Sequence, residues 1–318
     1  MTSTQNSQQN TDTAYTIRPM TRDNLAVAVE WAAAEGWNPG LHDVDYFYAA
    51  DPNGFLMGFL GDQPIASISV VKYGKTFGFL GFYIVRPEFR GRGYGWALWQ
   101  AGLNYLNGRN IGLDGVVEQQ NNYIKSGFKL AHRNIRYEGI SKPDKIANSQ
   151  LASSTEDAVM LSSISLDAIS LDAIFDYDTA IFQAERSTFL EGWIGSPHHT
   201  AVGLVSNRTA NHTSNYTESE APILLGYGVL RPCRQGYKIG PLFADTAEYA
   251  EAIFLELMSH VDSGSPFYLD VPEVNAAAVA LAEKYQMTSV FETARMYTQE
   301  PPPLPLRRIF GITTFELG

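Results

Sequence analysis

A stretch rich in glycine and arginine is the part of the sequence best suited to chemistry. It stands between an apolar run and a predicted helix, and it contains Arg90, Gly91, Arg92, Gly93, Tyr94 and Gly95. Glycines at a turn that opens a helix let backbone N–H groups approach an anion, with the positive end of the helix dipole behind them. Two arginines there add charge-assisted hydrogen bonds to phosphate oxygens. The stretch therefore predicts a phosphate cradle, and a tight surface turn is the alternative.

The runs before this stretch argue against a dinucleotide fingerprint. Apolar runs at 55–60, 65–73 and 77–85 are separated by short turns, which is typical of an antiparallel meander. A dinucleotide site needs its glycines within a βαβ unit instead. Apolar periodicity also predicts helices over 23–34, 45–49, 96–106, 121–125 and 246–260, and strands over 15–19, 111–117, 128–137 and 288–297.

An internal repeat indicates two copies of one α+β module. Residues 79–85 are echoed by 238–244, and each run precedes an alanine-rich helix. Asp114 in the first copy then lies opposite Asp270 in the second, and each copy ends in a predicted strand. The copies differ most at the glycine-rich stretch, because the second copy is four residues shorter there.

The repeat divides the chain into five predicted segments. They are a disordered tail (1–14), the first module (15–140), a linker without apolar periodicity (141–160), a degenerate second module (161–300), and a C-terminal extended tail (301–318) with a final strand over 309–317.

Composition and charge exclude several classes of protein. The 318 residues are 45% hydrophobic and 18% charged, which is typical of a globular protein rather than a disordered one. A net charge of −11 argues against nucleic acid or an anionic membrane as the main partner. The single cysteine, Cys233, excludes a disulfide framework and a cysteine-rich zinc site. Since the sequence has no long apolar run and no secretory start, we expect a cytoplasmic protein without a transmembrane helix.

The negative charge is concentrated in the second half. Residues 1–150 hold 14 Lys and Arg against 13 Asp and Glu, whereas the remainder holds 9 against 21. Acidic clefts attract cationic ligands, so part of this charge is a candidate for drawing an amine toward the molecule. Solubility is the plainer alternative.

Two motifs resemble those of the GNAT N-acetyltransferase superfamily. The glycine-rich stretch resembles its acetyl-CoA signature, (Q/R)-x-x-G-x-(G/A), with Arg90, Gly93 and Gly95 at the patterned positions. The later signature, a tyrosine four residues before a Gly-Phe pair, is present as Tyr123. The two signatures are independent of each other and stand in the right order.

The resemblance covers residues 15–140 well and 160–300 weakly. It implies an α+β fold of two GNAT-like modules, each with a twisted, mainly antiparallel sheet and helices on both faces. The first sheet is then expected to splay apart before the glycine-rich stretch and to admit acetyl-CoA. The resemblance implies that the pyrophosphate sits on that stretch and that the pantetheine arm pairs with free backbone groups of Tyr83, Ile84 and Val85.

The resemblance also implies a role for Tyr123 as the proton donor to the departing CoA thiolate. A packed aromatic ring at the end of a short helix is the alternative. The second copy has Ala282 at the corresponding position and lacks the glycine-rich stretch. Only the first module is therefore expected to bind acetyl-CoA and to catalyse.

The acceptor amine must lose a proton, because an ammonium ion has no lone pair with which to attack. Asp114 and Glu118 are the candidate bases, while a capping role or an ordered water are the alternatives. The acceptor is expected where the segment between the first two helices crosses the sheet. Its candidate residues are Trp37, Asn38, His42, Asp43 and Asp45. The alternative roles are a core tryptophan and a helix cap.

Together these features predict an acetyl-CoA-dependent N-acetyltransferase that acts on a primary amine of a small molecule by direct attack on the thioester. An acyl-CoA-binding sensor or interaction protein without turnover is the alternative. No metal, nucleic-acid or membrane partner is expected. The sequence leaves monomer and homodimer open.

Overall fold

The strands of both halves of the chain form one continuous sheet. The computed structural model describes residues 14–142, 158–161, 169–206 and 223–318, and at 158–161 only the backbone. Nearly all of the predicted tail and most of the predicted linker lie outside these residues. The strands are β1 (Tyr15–Pro19), β2 (Phe55–Leu60), β3 (Gln63–Tyr73), β4 (Phe77–Val85), β5 (Asn110–Val116), β6 (Lys129–Ile140), β7 (Ala158–Leu161), β8 (Thr200–Ser206), β9 (Leu224–Pro232), β10 (Tyr237–Ala244), β11 (Pro266–Pro272), β12 (Thr288–Tyr297) and β13 (Ile309–Gly311). The helices are α1 (Arg22–Ala34), α2 (Asp43–Ala50), α3 (Tyr94–Tyr105), α4 (Gln120–Lys125), α5 (Leu171–Phe182), α6 (Ser187–Gly195), α7 (Ala247–Met258) and α8 (Ala276–Lys284), with 3-10 turns at Pro87–Phe89, Val117–Gln119 and Leu306–Arg308.

The predicted helices and strands of the first half are present within a few residues of their predicted bounds. Helix α1 begins one residue earlier than predicted because Thr21 is its N-cap. The Thr21 hydroxyl accepts the Asn24 backbone N–H at 3.2 Å, and the Asn24 side chain accepts the Thr21 N–H in return. This reciprocal pair satisfies two N–H groups that the first turn of a helix leaves free.

Two predicted segments need correction. Residues 158–161, at the end of the predicted linker and the start of the predicted second module, form β7, which pairs antiparallel with β8. The predicted final strand over 309–317 is confined to β13, because the chain turns after Gly311 and buries its last residues.

The sheet order reflects the two copies of the module. The order is β1-β2-β3-β4-β5-β12-β6-β11-β10-β9-β8-β7, with β13 on β10. Among the described strands, two neighbouring pairs are parallel, β4 with β5 and β10 with β11, and they are counterparts in the two copies. The fold is therefore the predicted α+β arrangement of two mainly antiparallel modules with helices.

The modules exchange their last strands. Strand β12 of the second half lies between β5 and β6 of the first, and β6 pairs with β11 of the second half along its length. The predicted boundary at residues 141–160 therefore divides the sequence but not the sheet.

Each parallel pair diverges after a few residues. Strands β4 and β5 are paired up to Leu80 and Leu113, and β10 and β11 up to Ile239 and Leu269. In the first half, Phe82 adopts a φ of 44°, where the register between β3 and β4 shifts. Such a bulge bends a strand and ends its pairing on one side. The first half thus has the splayed sheet that the sequence predicts.

The last ten residues, 309–318, form what we call the C-terminal segment, which crosses between the two openings. Its strand β13 fills the opening of the second half by pairing with β10, while the Ile312 N–H donates to the Asp270 carbonyl at 2.9 Å. The segment then passes two glycines. A Cβ on Gly240 would lie 2.4 Å from the Thr313 carbonyl oxygen, and one on Gly81 would lie 2.4 Å from the Glu316 carbonyl oxygen. Glycine is required at both crossings.

An apolar interface joins the two halves. Trp193 of α6 is fully buried, with its ring 5.8 Å from that of Tyr46 and 6.0 Å from that of Phe47, both on α2. The Trp193 indole N–H donates to the Gly240 carbonyl at 3.0 Å, so the polar edge of the ring is also satisfied.

Among the described helices, none has the length and apolar character needed to cross a membrane.

Candidate active site

A cavity of about 840 Å³ opens between β4 and β5, where these strands diverge. Its mouth is at the glycine-rich stretch, with Gly91, Gly93 and the exposed ring of Trp96. Its middle is lined by Tyr83, Trp99 and Tyr123, and its far end by Trp37, Phe291, Phe315 and Glu316.

The glycines at the mouth are required by the backbone. Gly91 and Gly93 have φ values of 75° and 85°, and Gly93 is the N-cap of α3. A Cβ on Gly95 would lie 2.8 Å from both the Tyr83 hydroxyl and a Val85 methyl group, so glycine also allows α3 to approach β4. No side chain caps the first turn of α3. Its free N–H groups and the helix dipole therefore suit an anion.

The two arginines of the stretch have different surroundings. The Arg90 Nε donates to the Val85 carbonyl at 2.7 Å, and its Nη2 pairs with Glu35 at 2.5 Å. Arg90 therefore holds the loop against β4 and α1. The exposed guanidinium of Arg92 lies 5.8 Å from the centre of the Phe89 ring and is the cation freer to reach a phosphate.

The backbone of β4 presents polar groups to the cavity. Arg86 donates its N–H to the Ile65 carbonyl at 3.0 Å, and Ile84 stands opposite Ser67 in the ladder with β3. Because antiparallel bonding alternates, Val85 and Tyr83 direct their backbone groups away from β3, and Ile84 directs its groups toward β3. The Val85 carbonyl is taken by Arg90, which leaves the N–H groups of Tyr83 and Val85 as donors on this side.

Tyr123 is both packed and on the cavity wall. Its ring is 9% exposed, stacks on Trp99 at 5.7 Å, and fits against Gly115, where a Cβ would lie 2.2 Å away. Burial, with Tyr83 nearby, raises the pKa of Tyr123 well above its ordinary value. The hydroxyl therefore stays protonated near neutral pH and is able to act only as a proton donor.

The second half has neither the cradle nor an open split. Helix α7 is capped by the Thr246 hydroxyl, which accepts the Tyr249 N–H at 3.3 Å. Ala282, at the counterpart of Tyr123, lies on α8 and is buried in the core. Since β13 also occupies the opening between β10 and β11, this half lacks the open split and the uncapped helix start of the first.

The two candidate bases occupy different environments. Asp114 makes a bidentate ion pair with Arg295 of β12, at 2.9 and 2.6 Å, and accepts the Asn134 side-chain N–H at 2.8 Å. Its side chain is fully buried, which favours the structural role over that of a base. Glu118 is exposed in the 3-10 turn after β5 and is not among the residues that line the cavity.

Of the five candidate acceptor residues, only Trp37 lines the cavity. Asp43 is buried in an ion pair with Arg231 at 3.1 Å, and the exposed Asp45 pairs with Arg22 at 2.5 Å. These partners neutralise both carboxylates, and burial keeps Asp43 out of reach of an incoming ammonium ion.

The other two candidates, His42 and Asn38, contact residues of the second half. The His42 ring stacks on that of His198 at 3.7 Å. The Asn38 side chain donates to the Gln235 carbonyl at 3.0 Å and accepts the Gln235 N–H at 2.9 Å. Among the described residues, no group of three or more His, Cys, Asp or Glu side chains is placed to hold a metal ion.

Three residues at the far end of the cavity were not found from the sequence. Phe291 belongs to the exchanged strand β12, and Phe315 and Glu316 belong to the C-terminal segment. Glu316 is 4% exposed, and its burial raises the pKa of its carboxyl, although Lys238, Arg231 and Arg136 oppose this change. The sequence around Glu316 contains no motif that indicates a functional residue.

A splayed parallel pair, a glycine-rich helix start and a tyrosine beside the split together define an acyl-CoA-dependent transferase of the GNAT fold. A model of the acetyltransferase (GNAT) family matches residues 24–125, and a model of the acetyltransferase (GNAT) domain matches residues 174–311. Together they span about three quarters of the chain. The chain therefore belongs to the GNAT acetyltransferase family and carries two GNAT domains.

Three similar proteins match nearly the whole length of this chain. Holothin acyltransferase from Pseudoalteromonas sp. (strain SANK 73390) is 29% identical over 305 residues, which cover 96% of this chain and 95% of that protein. The crystal structure of a candidate acetyltransferase from Pyrococcus horikoshii is 22% identical, with a TM-score of 0.72 and 96% of each chain covered. A tandem GNAT protein from the clavulanic acid biosynthesis pathway is 12% identical, with a TM-score of 0.61, and covers 91% of this chain and 99% of its own. The two structures are similar in fold.

Proposed function

We propose that this protein is an N-acetyltransferase, which moves the acetyl group of acetyl-CoA to a primary amine of a small molecule by direct attack. The observation that carries the proposal is the open split of the first half, with the glycine-rich helix start at its mouth. The second half is proposed to close the acceptor end and to bind no CoA. A cytoplasmic location is kept as a prediction from the sequence.

The residues along the split then act in order. The free N–H groups at the start of α3 bind the pyrophosphate, and Arg92 adds charge. The backbone groups of Tyr83 and Val85 on the open side of β4 bind the pantetheine arm and donate a hydrogen bond to the developing oxyanion. Tyr123 donates its proton to the sulfur as the thiolate leaves.

The comparison with holothin acyltransferase supports acyl transfer rather than binding alone. That protein is named for the transfer of an acyl group to holothin, and the match spans nearly all of both chains.

The first test measures turnover. Acetyl-CoA is mixed with the protein and with amines of several classes, namely benzylamine, 2-phenylethylamine, glucosamine, spermidine and lysine, and the free thiol of CoA is followed. Release that depends on an amine supports the proposal. Tight CoA binding without release for any of these amines would favour the acyl-CoA sensor.

The second test addresses the cradle. Gly93→Val is expected to abolish the thermal stabilisation by acetyl-CoA, because the side chain would fill the anion position and oppose a φ of 85°. Gly108→Val is the matched control, since Gly108 has a φ of 82° and open space around it but lies at the far end of α3. Stabilisation retained by Gly93→Val would contradict the cradle assignment.

A further inference from the structure

The C-terminal segment brings one carboxylate to the point where the first split begins. The last paired residue of β4 is Leu80, and the next, Gly81, is in contact with the backbone of Glu316. The Ser69 hydroxyl of β3 donates to the Glu316 carbonyl at 3.3 Å, and the Tyr73 hydroxyl donates to the Leu317 carbonyl at 2.9 Å. Glu316 is therefore fixed at the inner end of the cavity that Tyr123 also lines.

Glu316 differs from the other buried acids around it. Asp43 is paired with Arg231 at 3.1 Å, and Asp270 is paired with Arg136 at 2.7 Å. The Glu316 carboxylate has no ion pair or side-chain hydrogen bond to the part of the chain that the structure describes. It is consequently the acid at this end that remains available to a ligand.

The nearby cations leave this carboxylate able to exchange a proton. Lys238 donates to the Asn38 carbonyl at 2.9 Å. Arg136 forms an ion pair with Asp270, and Arg231 forms one with Asp43. The positive charges of these three residues favour the ionised form of Glu316, although none of them forms an ion pair with its carboxylate.

The walls around Glu316 are aromatic. Trp37 comes from the segment between α1 and α2, Phe291 from β12, and Phe315 from the C-terminal segment itself. Aromatic faces pack well against flat, unsaturated ligands. A polyamine would need several free carboxylates, whereas Asp43, Asp114 and Asp270 all have arginine partners.

We propose that Glu316 is the base that deprotonates the acceptor amine, and that this amine is carried on a flat, unsaturated body held between Trp37, Phe291 and Phe315. This inference rests on the proposed function, because it assigns a role within the same reaction.

The step balances as follows. The Glu316 carboxylate takes one proton from the ammonium group, and the freed lone pair forms the new C–N bond at the thioester carbon. The C–S bond breaks, its electron pair leaves on sulfur, and Tyr123 donates a proton to that sulfur. The second nitrogen proton restores the Tyr123 hydroxyl, and the proton on Glu316 passes to water. One proton is released overall, with an amide and free CoA as products.

A base must be ionised to act, so the rate is expected to fall as the pH drops through the pKa of Glu316. The groups that surround it are Lys238, Arg231, Arg136 and Asp43. Burial raises the pKa of Glu316, so this fall is expected above the ordinary range of a glutamate.

The test compares Glu316→Gln with the wild type, using acetyl-CoA and the amine of the panel above with the fastest turnover. Glu316→Gln is expected to lower kcat/KM about 100-fold or more and to remove the inflection of Glu316 from its pH profile, so that the acid limb follows the ionisation of the amine alone. Glu300→Gln is the matched control, because Glu300 is an exposed glutamate near the same end of the chain and pairs only with Lys129 at 3.3 Å among the described residues. An unchanged rate, or a lower rate with the Glu316 inflection retained, would overturn the assignment. Fastest turnover with glucosamine, spermidine or lysine would overturn the flat acceptor.

Two further measurements distinguish a loss of catalysis in Glu316→Gln from a loss of folding. The raised pKa means that the charged form of Glu316 is disfavoured in the folded state, so stability falls as the pH rises from about 4.5 through that pKa. At pH 8, Glu316→Gln is therefore expected to unfold at a temperature no lower than the wild type and to keep its stabilisation by acetyl-CoA. Glu316→Asp keeps the carboxylate on a side chain one methylene shorter, and it is expected to retain the inflection of the carboxyl group in the pH profile at a lower rate. No turnover by the wild type would be a failure of the proposed function instead.

Discussion

Tyr123 is the side chain on which the leaving-group step depends. Its ring is held between Trp99 and Gly115, and burial keeps the pKa of its hydroxyl above the ordinary value. Tyr123→Phe preserves the ring and its packing but removes the proton. We expect kcat to fall about 100-fold while the binding of acetyl-CoA, measured by thermal shift, changes little.

The matched control for Tyr123→Phe is Tyr105→Phe. Tyr105, on α3, donates to Asp51 at 2.9 Å outside the split, so it loses a hydroxyl without touching the cavity. A rate for Tyr123→Phe as high as that of the control would return Tyr123 to a packing role alone.

The residues proposed for the CoA side all come from the sequence motifs, whereas among those proposed for the acceptor side only Trp37 was predicted from the sequence. Gly93 and Gly95 act through local backbone geometry, which a short motif specifies. Asp114 was chosen by its place after the loop helix, but its partner Arg295 is far away in sequence. Glu316 reaches the cavity from the last residues of the chain. Neither the Asp114–Arg295 ion pair nor the position of Glu316 can be predicted from the spacing of neighbouring residues in the sequence.

The exchanged strands β6 and β12 are held by two reciprocal ion pairs. Arg295 of β12 binds Asp114 of β5, and Arg136 of β6 binds Asp270 of β11 at 2.7 Å. The repeat that aligns the two aspartates therefore reflects a shared structural role. Each pair joins strands from different halves, so each fixes the exchange.

Removing one carboxylate should reveal the strength of this connection. Asp114→Asn leaves the Arg295 guanidinium buried without a counter-charge, and we expect a loss of about 3–5 kcal/mol in the free energy of unfolding. Urea denaturation measures it, with Asp62→Asn as the control, because Asp62 is exposed and lies 4.0 Å from Arg18. Unchanged stability together with a lost rate would restore Asp114 as a catalytic base.

The predicted elements agree with the structure because helix and strand patterns are local. Strand β12, for example, was predicted over its full length as the end of the second copy of the repeat. Its partners were not predicted, since the pattern of a strand does not specify which strand it pairs with. The insertion of β12 between β5 and β6, and the filling of the second split by β13, both depend on contacts between distant parts of the chain.

At the scale of the whole molecule, Glu316 is the only acid of the second half that lines the cavity among the described residues. The acids buried at the interface between the halves, Asp43 and Asp270, are neutralised by Arg231 and Arg136. Glu316 is then the main source of negative charge at the acceptor end. This distribution favours solubility over long-range attraction of amines as the role of the excess charge, since paired charges produce little field at a distance.

The exchange of strands also predicts how the protein unfolds. The first half lacks a complete sheet without β12, and the second lacks one without β6. The C-terminal segment and Trp193 add further contacts across the same boundary. Neither half is therefore expected to remain folded when the other opens, and calorimetry should record one transition whose calorimetric and van't Hoff enthalpies agree.

Acetyl-CoA offers a way to test this coupling, because it is expected to bind only the split of the first half. A ligand that binds the folded state alone raises the temperature of the transition to which its site belongs. If the halves unfold together, acetyl-CoA should move the entire calorimetric peak to higher temperature. Two peaks, of which acetyl-CoA moves only one, would instead mean that the halves unfold separately in spite of the shared sheet.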